Sequence, residues 1–305
     1  MKDETQQDEV DMTTQMKPIR SFLFVPGNKE SMLDKAAGAK ADALILDLED
    51  SVPPAEKLAA RALVARKIPE LIAQGQRIWV RVNRTAHIYD LDDILAVVQP
   101  GVEGIYISKP WGPEDVHMAS CMIAEAETRA NLPLGSVGLI PLLETARSMQ
   151  LCFEIAQIPR VVGIVGATAK NADVGRALKY VWTAEGRESE YMKSRVVMAA
   201  RAAGKQPIGG IWQQIKDLEG LAKASAFDRQ LGMSGELALH PMQVETINRT
   251  YTPTAEEVAF YQGMIDALEE AQKQGRASVM YDGEHIDIAH VKTARDVIAL
   301  AQSFN

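Results

Sequence analysis

The amino-acid sequence predicts an α/β fold, a (β/α)8 TIM barrel followed by a helical C-terminal arm or lid, and three observations lead there. Short apolar or β-branched runs alternate with amphipathic segments of helical period along most of the chain. Eight such runs can be counted, which is the strand number of a barrel. Charged residues of both signs follow the runs directly, where a parallel barrel carries its polar rim. A doubly wound open sheet shares the alternation, so the strand count and the placement of the polar residues decide for the barrel.

In chain order, residues 1–17 are acidic and polar and read as a disordered tail. The barrel is assigned to 18–240, with strands at 21–25, 43–48, 77–82, 104–108, 137–143, 161–165, 206–211 and 235–239. Helices are read over 29–39, 55–74 with a break at Pro69, and 187–203, because Ala and Leu recur there at three- and four-residue steps. Beyond His240-Pro241 only helices are expected, at 242–248, at 254–273 after Pro253, and at 288–302, with a glycine-containing turn region over 274–283. The segment 241–305 is therefore an arm or lid over the barrel mouth, or an arm reaching a neighbouring subunit.

The bulk properties narrow the function. A chain of 305 residues with 47% hydrophobic content can bury one barrel core plus an appendage. No run approaches the roughly 18 apolar residues of a membrane span, and the polar, acidic start is unlike a secretion signal. Cys121 and Cys152 read as reduced core thiols, so a cytoplasmic location is expected. A formal charge of -8 argues against a nucleic-acid partner. It leaves room for an anionic small substrate, since a few arginines and a divalent cation can dominate one pocket.

At the strand ends, the second run carries Asp47 and leads into Glu49 and Asp50, the third carries Arg81 and leads into Asn83, and Lys109, Glu144 and His240 follow the fourth, fifth and eighth. A single acid after a strand is well explained as a cap for the next helix. Five strand ends carrying opposite charges suggest instead a site holding a hard divalent ion and an anionic substrate together. Glu144 is the best metal-ligand candidate, because magnesium needs only one or two protein carboxylates. Arg81 is suited to a paired hydrogen bond with a substrate carboxylate, or to a developing enolate oxygen. His87, His117 and His290 lack metal-ligand spacing and read as surface or packing residues, and His240 reads as a hydrogen-bonding residue of the barrel end. Lys109 either contacts a ligand phosphate or pairs with a carboxylate in the barrel, the second being preferred.

The strings RSFLFVPGN from Arg20, ALILDLEDSV from Ala43, VRVN from Val80, ISKP from Ile107, LLETARS from Leu142, ALHPMQVETIN from Ala238, YTPTAEEV from Tyr251 and DGEHID from Asp282 resemble the citrate lyase β-subunit-like family, which includes malyl-CoA and citramalyl-CoA lyases. The order is kept over nearly the whole chain after the tail. This resemblance implies a phosphoenolpyruvate/pyruvate-type barrel, often trimeric, whose C-terminal segment closes a site on an adjacent subunit. It implies Arg81 as the substrate arginine, Glu144 as a Mg2+ ligand, and Glu49 and Asp50 as the acidic pair near the metal and its waters. It also implies Asp287 as the acid or base at the acetyl carbon, supplied in trans. Two positions depart from the family: His285 stands where it has methionine, and Gly166-Ala167-Thr168-Ala169 replaces G-A-E-D, so that Ala169 takes the place of the second metal aspartate. Asp173, four residues on, would share a face with Ala169 if the segment were helical. It is read first as a solvent-facing or capping residue and second as a replacement ligand.

The expected activity is carbon–carbon cleavage of a short 3-hydroxyacyl-CoA, with (S)-citramalyl-CoA giving acetyl-CoA and pyruvate as the preferred reaction. Arg81, Asn83, Lys109, Glu49 and Asp50 are the expected substrate contacts, and Arg81 and Asp287 the catalytic pair. Citryl-ACP or malyl-CoA cleavage is the enzymatic alternative. A non-catalytic CoA- or ligand-binding role is the other, because of Ala169.

Overall fold

The structure, a computed structural model, describes residues 18–304, and in it the eight runs close into one parallel barrel in sequential order. They are β1 (Ser21–Pro26), β2 (Ala43–Asp47), β3 (Ile78–Arg81), β4 (Val102–Ile107), β5 (Gly138–Leu143), β6 (Gly163–Gly166), β7 (Gln206–Ile211) and β8 (Glu236–Ala238). No boundary differs from the sequence reading by more than two residues. Closure comes from parallel pairing of β1 with β8, where Ser21 faces Glu236 and Leu23 faces Ala238. The tail assigned to 1–17 lies outside the described residues.

The barrel interior is filled by side chains. Phe22, Trp79 and Tyr106, from β1, β3 and β4, meet edge to face with ring centroids 5.6 to 6.1 Å apart, a geometry favoured by the aromatic quadrupole. Gly104 makes room for this cluster, because a Cβ there would lie 2.1 Å from the Trp79 ring. Ile140, Val165, Ile208 and Leu237 complete the same core.

Around the barrel run α1 (Glu30–Lys35), α2 (Lys57–Ala73), α3 (Leu91–Val97), α4 (Pro113–Arg129), α5 (Ala146–Gln150), α6 (Cys152–Ala156), α7 (Asp173–Leu178), α8 (Glu190–Ala202) and α9 (Leu218–Leu231); α10 (Pro241–Tyr251) follows β8. The break expected at Pro69 does not occur, since α2 runs through it. Proline removes the donor to the carbonyl four residues back, and here the Gln99 side-chain amide supplies that donor to Ala65 at 3.0 Å. Burial of Ile68 and Leu71 on either side of Pro69 holds the helix down. Of the two cysteines only Cys152 is a core thiol; Cys121 is exposed, being on the outer face of α4.

One compact unit ends at Ile247 and a second begins at Asn248. Within the second, α11 (Ala255–Lys273) and α12 (Ile288–Gln302) share a small core of Met264, Ile265, Leu268, Ile286, Val291 and Ala294. The expectation of helices alone is corrected here: β9 (Val279–Tyr281) and β10 (Glu284–Ile286) form an antiparallel hairpin. Asp282 and Gly283, both at positive φ, make its two-residue turn, the pairing that such hairpins favour. The hairpin is a separate two-stranded sheet and adds nothing to the barrel. Among the described residues no helix is long and apolar enough to cross a membrane.

Candidate active site

The C-terminal ends of β2 to β6 deliver the polar rim. Asp47 is the last residue of β2 and Arg81 the last of β3, and the two sit opposite each other in the parallel register. Arg81 Nε and Nη2 donate to the two oxygens of Asp47, each at 2.7 Å, the fork geometry that suits a guanidinium to a carboxylate. Both groups are buried. The paired hydrogen bond expected between Arg81 and substrate is thus made to Asp47 within the protein.

Backbone N–H groups of Glu49 and Ser51 also donate to Asp47, at 2.9 and 3.1 Å. Burial pushes the Asp47 carboxyl up, but the Arg81 guanidinium and these donors outweigh it and hold the group below the usual carboxylate range. For Arg81 burial works against the charged form, and the Asp47 pair overrides it and raises the guanidinium further. Arg81 Nη1 lies 3.1 Å from Glu49 Oε2, out of line for a hydrogen bond, and its carbon stands 4.7 Å over the Phe24 ring.

Lys109 is the second cation of the rim. It follows β4 in the left-handed region at φ 53, and its ammonium donates to Glu49 at 2.7 Å and Asp50 at 2.9 Å. Asp173 is 3.8 Å away. Burial would lower this lysine, yet the Glu49 and Asp50 carboxylates raise it. The carboxylate pairing preferred from the sequence is the contact observed. Lys57, unnoticed in the sequence, donates to the Leu48 and Glu49 carbonyls and fixes the loop carrying the acidic pair.

Glu144 immediately follows β5. Its Oε2 is buried without a hydrogen-bond partner, while the residue as a whole remains partly exposed. Burial pushes the carboxyl up to about 7, against the opposing pull of Lys109 and Arg81. An orphaned carboxylate oxygen beside two cations is an incomplete site, and a hard cation would complete it. Arg81, Glu144, Asp50, Asp173 and Ala169 line one cavity of about 440 Å3, with Leu142, Ala167 and Leu237 among its apolar walls.

The segment from Ala167 to Ala172 is not helical, so Ala169 and Asp173 do not share a helical face. Asp173 reaches the cavity instead from the first turn of α7, where it also pairs with Arg176. It is partly buried, with 26% of its side chain exposed, which corrects its reading as solvent-facing. Asn83 is not brought to this cavity: its amide donates to Asp93 at 2.7 Å, and Arg61 holds the same aspartate from the other side. His240 accepts from the Met242 N–H at 3.2 Å, as a barrel-end residue. Asp287 belongs to the second unit, where it caps α12 by accepting from Ala289 N–H and contacts the His290 ring at 2.9 Å. The His290 ring and the cap hydrogen bonds lower its carboxyl. Among the described residues no three His, Cys, Asp or Glu side chains form a ready metal cluster.

The sequence model described as HpcH/HpaI aldolase/citrate lyase matches residues 20–241. A (3S)-malyl-CoA thioesterase from Cereibacter sphaeroides is 33% identical over 96% of this chain and 98% of its own length. The citrate lyase β subunit of Haemophilus influenzae is 32% identical over 94% of this chain and 98% of its own. In fold the chain is similar to the protein CitE from Mycobacterium tuberculosis, solved with magnesium, acetoacetate and coenzyme A, at a TM-score of 0.73 and 24% identity over 93% of this chain and 98% of that one.

Proposed function

This chain belongs to the HpcH/HpaI aldolase/citrate lyase family and is a carbon–carbon lyase, and from that premise we propose that it cleaves a short 3-hydroxyacyl-CoA, with (S)-citramalyl-CoA giving acetyl-CoA and pyruvate as the preferred reaction. The observation that carries this reading is the convergence of Arg81 and Glu144 on one cavity at the C-terminal rim, where barrel enzymes do their chemistry. The methyl groups of Ala167 and Ala169 beside Glu144 give that cavity room for the extra methyl of a citramalyl group.

In this reading, loss of the β-hydroxyl proton sends the C–C bonding electrons to the thioester α-carbon, releasing pyruvate and leaving the enolate of acetyl-CoA. Asp50, which lines the cavity and accepts from Lys109, receives the proton in this reading. Arg81, held rigid by Asp47, and Lys109 supply fixed positive charge for the oxyanion, the kind of preorganised stabilisation that dominates such barriers. Asp287 protonates the enolate carbon, from a neighbouring subunit of a homo-oligomer such as a trimer, with 241–305 as its arm. Glu144, with Asp173 as a second donor, is the set that would hold Mg2+, which needs only one or two protein carboxylates. Bound there, Mg2+ would supply Lewis acidity toward substrate oxygens. A cytoplasmic location accompanies this reading.

A second reading is favoured by the malyl-CoA thioesterase relative: hydrolysis of the thioester after or instead of cleavage. Incubation with (S)-citramalyl-CoA or (3S)-malyl-CoA, following the 2-oxo acid and free CoA separately, tests both. Lyase activity releases pyruvate or glyoxylate with acetyl-CoA, hydrolysis instead of cleavage releases CoA with no oxo acid, and hydrolysis after cleavage releases CoA, acetate and the oxo acid together.

A further inference from the structure

Outside the barrel wall, between β7 and β8 and the helices α8 and α9, lies a separate cavity of about 550 Å3. Alternation along β8 sends Leu237 into the barrel core and its neighbour Glu236 outward to this cavity. There Glu236 meets Ser225 and Asp228 of α9 and Lys193 of α8. Gly209 of β7 makes room for both carboxyls, because a Cβ at that position would stand 3.1 Å from Asp228 Oδ2 and 3.4 Å from Glu236 Cγ. Trp182, Trp212 and Phe227 wall the cavity, and carboxyl groups outnumber lysines in its lining.

The two buried carboxyls are unequally served. Lys193 pairs with Asp228 at 2.6 Å and has the Phe227 ring 5.8 Å away. Glu236, 3% exposed, accepts from Ser225 Oγ at 2.5 Å with one oxygen, and among the described residues no hydrogen bond reaches the other. Burial, with the charge of Asp228, pushes this carboxyl up to about 8, so it holds a proton that an arriving cation displaces to solvent. One ammonium group thus serves two carboxyls, and a second would complete the set. The rings around it are of the kind that accept cations on their faces: beside the Lys193 contact with Phe227, Lys170 stands 5.3 Å from the Trp182 centroid.

We infer that this cavity binds a small organic ammonium compound, with its cationic nitrogen at Glu236 and its hydrocarbon part against Trp182, Trp212 and Phe227. An anionic ligand is opposed by the acidic lining, and a neutral one leaves Glu236 without a countercharge. The site is distinct from the one proposed for the thioester, although Gly210 and Ile211 of β7 border both cavities.

The test is calorimetric binding of phenethylamine and of its uncharged isostere, phenethyl alcohol, to the full chain and to Glu236→Gln and Ala224→Leu. The wild type is expected to bind the amine about tenfold more tightly than the alcohol, the scale of one hydrogen bond to a charged group. Glu236→Gln keeps an acceptor for Ser225 and loses the charge, so the amine is expected to fall to the affinity of the alcohol, with alcohol binding unchanged. Ala224 lines the cavity from α9, and Ala224→Leu narrows it while leaving the floor intact. Both ligands are expected to bind this variant about tenfold more weakly, and it carries the test should Glu236→Gln fail to fold. Equal affinity of the wild type for amine and alcohol, or no binding of the amine, would overturn the inference. So would amine affinity within about twofold of wild type in either folded variant, or displacement of the amine by CoA, which would assign the cavity to the substrate.

Discussion

Arg81 is committed through Nε and Nη2 to Asp47, which makes it a rigid charge at the cavity wall. A lysine keeps the charge and loses the fork. Arg81→Lys is therefore expected to lower kcat by roughly 10²- to 10³-fold, the scale for one lost preorganised donor, while circular dichroism stays native. Retained wild-type turnover would remove Arg81 from the mechanism. Glu144 gives a pH signature. Its carboxyl is pushed from 4.5 to about 7, so the folded protein holds this proton more strongly than the unfolded chain. The stability it contributes is full below about pH 4.5 and is lost as pH rises through 7. A cation reverses the preference, because only the ionised form binds it. Mg2+ affinity, measured by titration between pH 6 and 8, is expected to rise with pH and release a proton, and Glu144→Gln is expected to abolish the rise.

At the scale of elements, the eight strands were legible because a strand buried on both faces is a near-continuous apolar run, and 43–48 and 137–143 are such runs. The rim residues were legible because strand ends are fixed once strands are. What the sequence could not show was pairing across it. Nothing local distinguishes Asp47, which Arg81 uses, from Glu49 and Asp50, which Lys109 uses. Asn83 looks equally available in the sequence, and only the fold brings Asp93 to it. The hairpin of the second unit was missed although Asp282-Gly283 is a strong turn signal, because its three-residue strands are too short to show alternation.

Long-range partners of this kind predict stability effects. Gln99→Leu leaves the Ala65 carbonyl in α2 without a donor and is expected to cost about 1–3 kcal/mol in denaturant unfolding. Between α8 and α9, Lys193 pairs with Asp228 at 2.6 Å, both buried. Lys193→Met strands a buried carboxylate and is expected to cost about 3–5 kcal/mol. An unfolding midpoint unchanged from wild type would show the pair to be structurally idle.

For the whole molecule, the proposed division of labour assigns fixed charge to the barrel and the proton donor Asp287 to the second unit of a neighbouring chain. Asp287→Asn is expected to reduce kcat by about 10²- to 10⁴-fold, the range of one general acid. Mixing it with Arg81→Lys under conditions of subunit exchange is expected to restore activity that neither variant has alone. No recovery in demonstrably mixed oligomers would place donor and charge on the same chain. The central claim, that the Arg81 and Glu144 rim stabilises an enolate released by C–C scission, is tested most directly by product analysis of (S)-citramalyl-CoA incubated with the wild-type chain and Mg2+. Equal amounts of pyruvate and acetyl-CoA are predicted; citramalate with free CoA, or unchanged thioester, would contradict it.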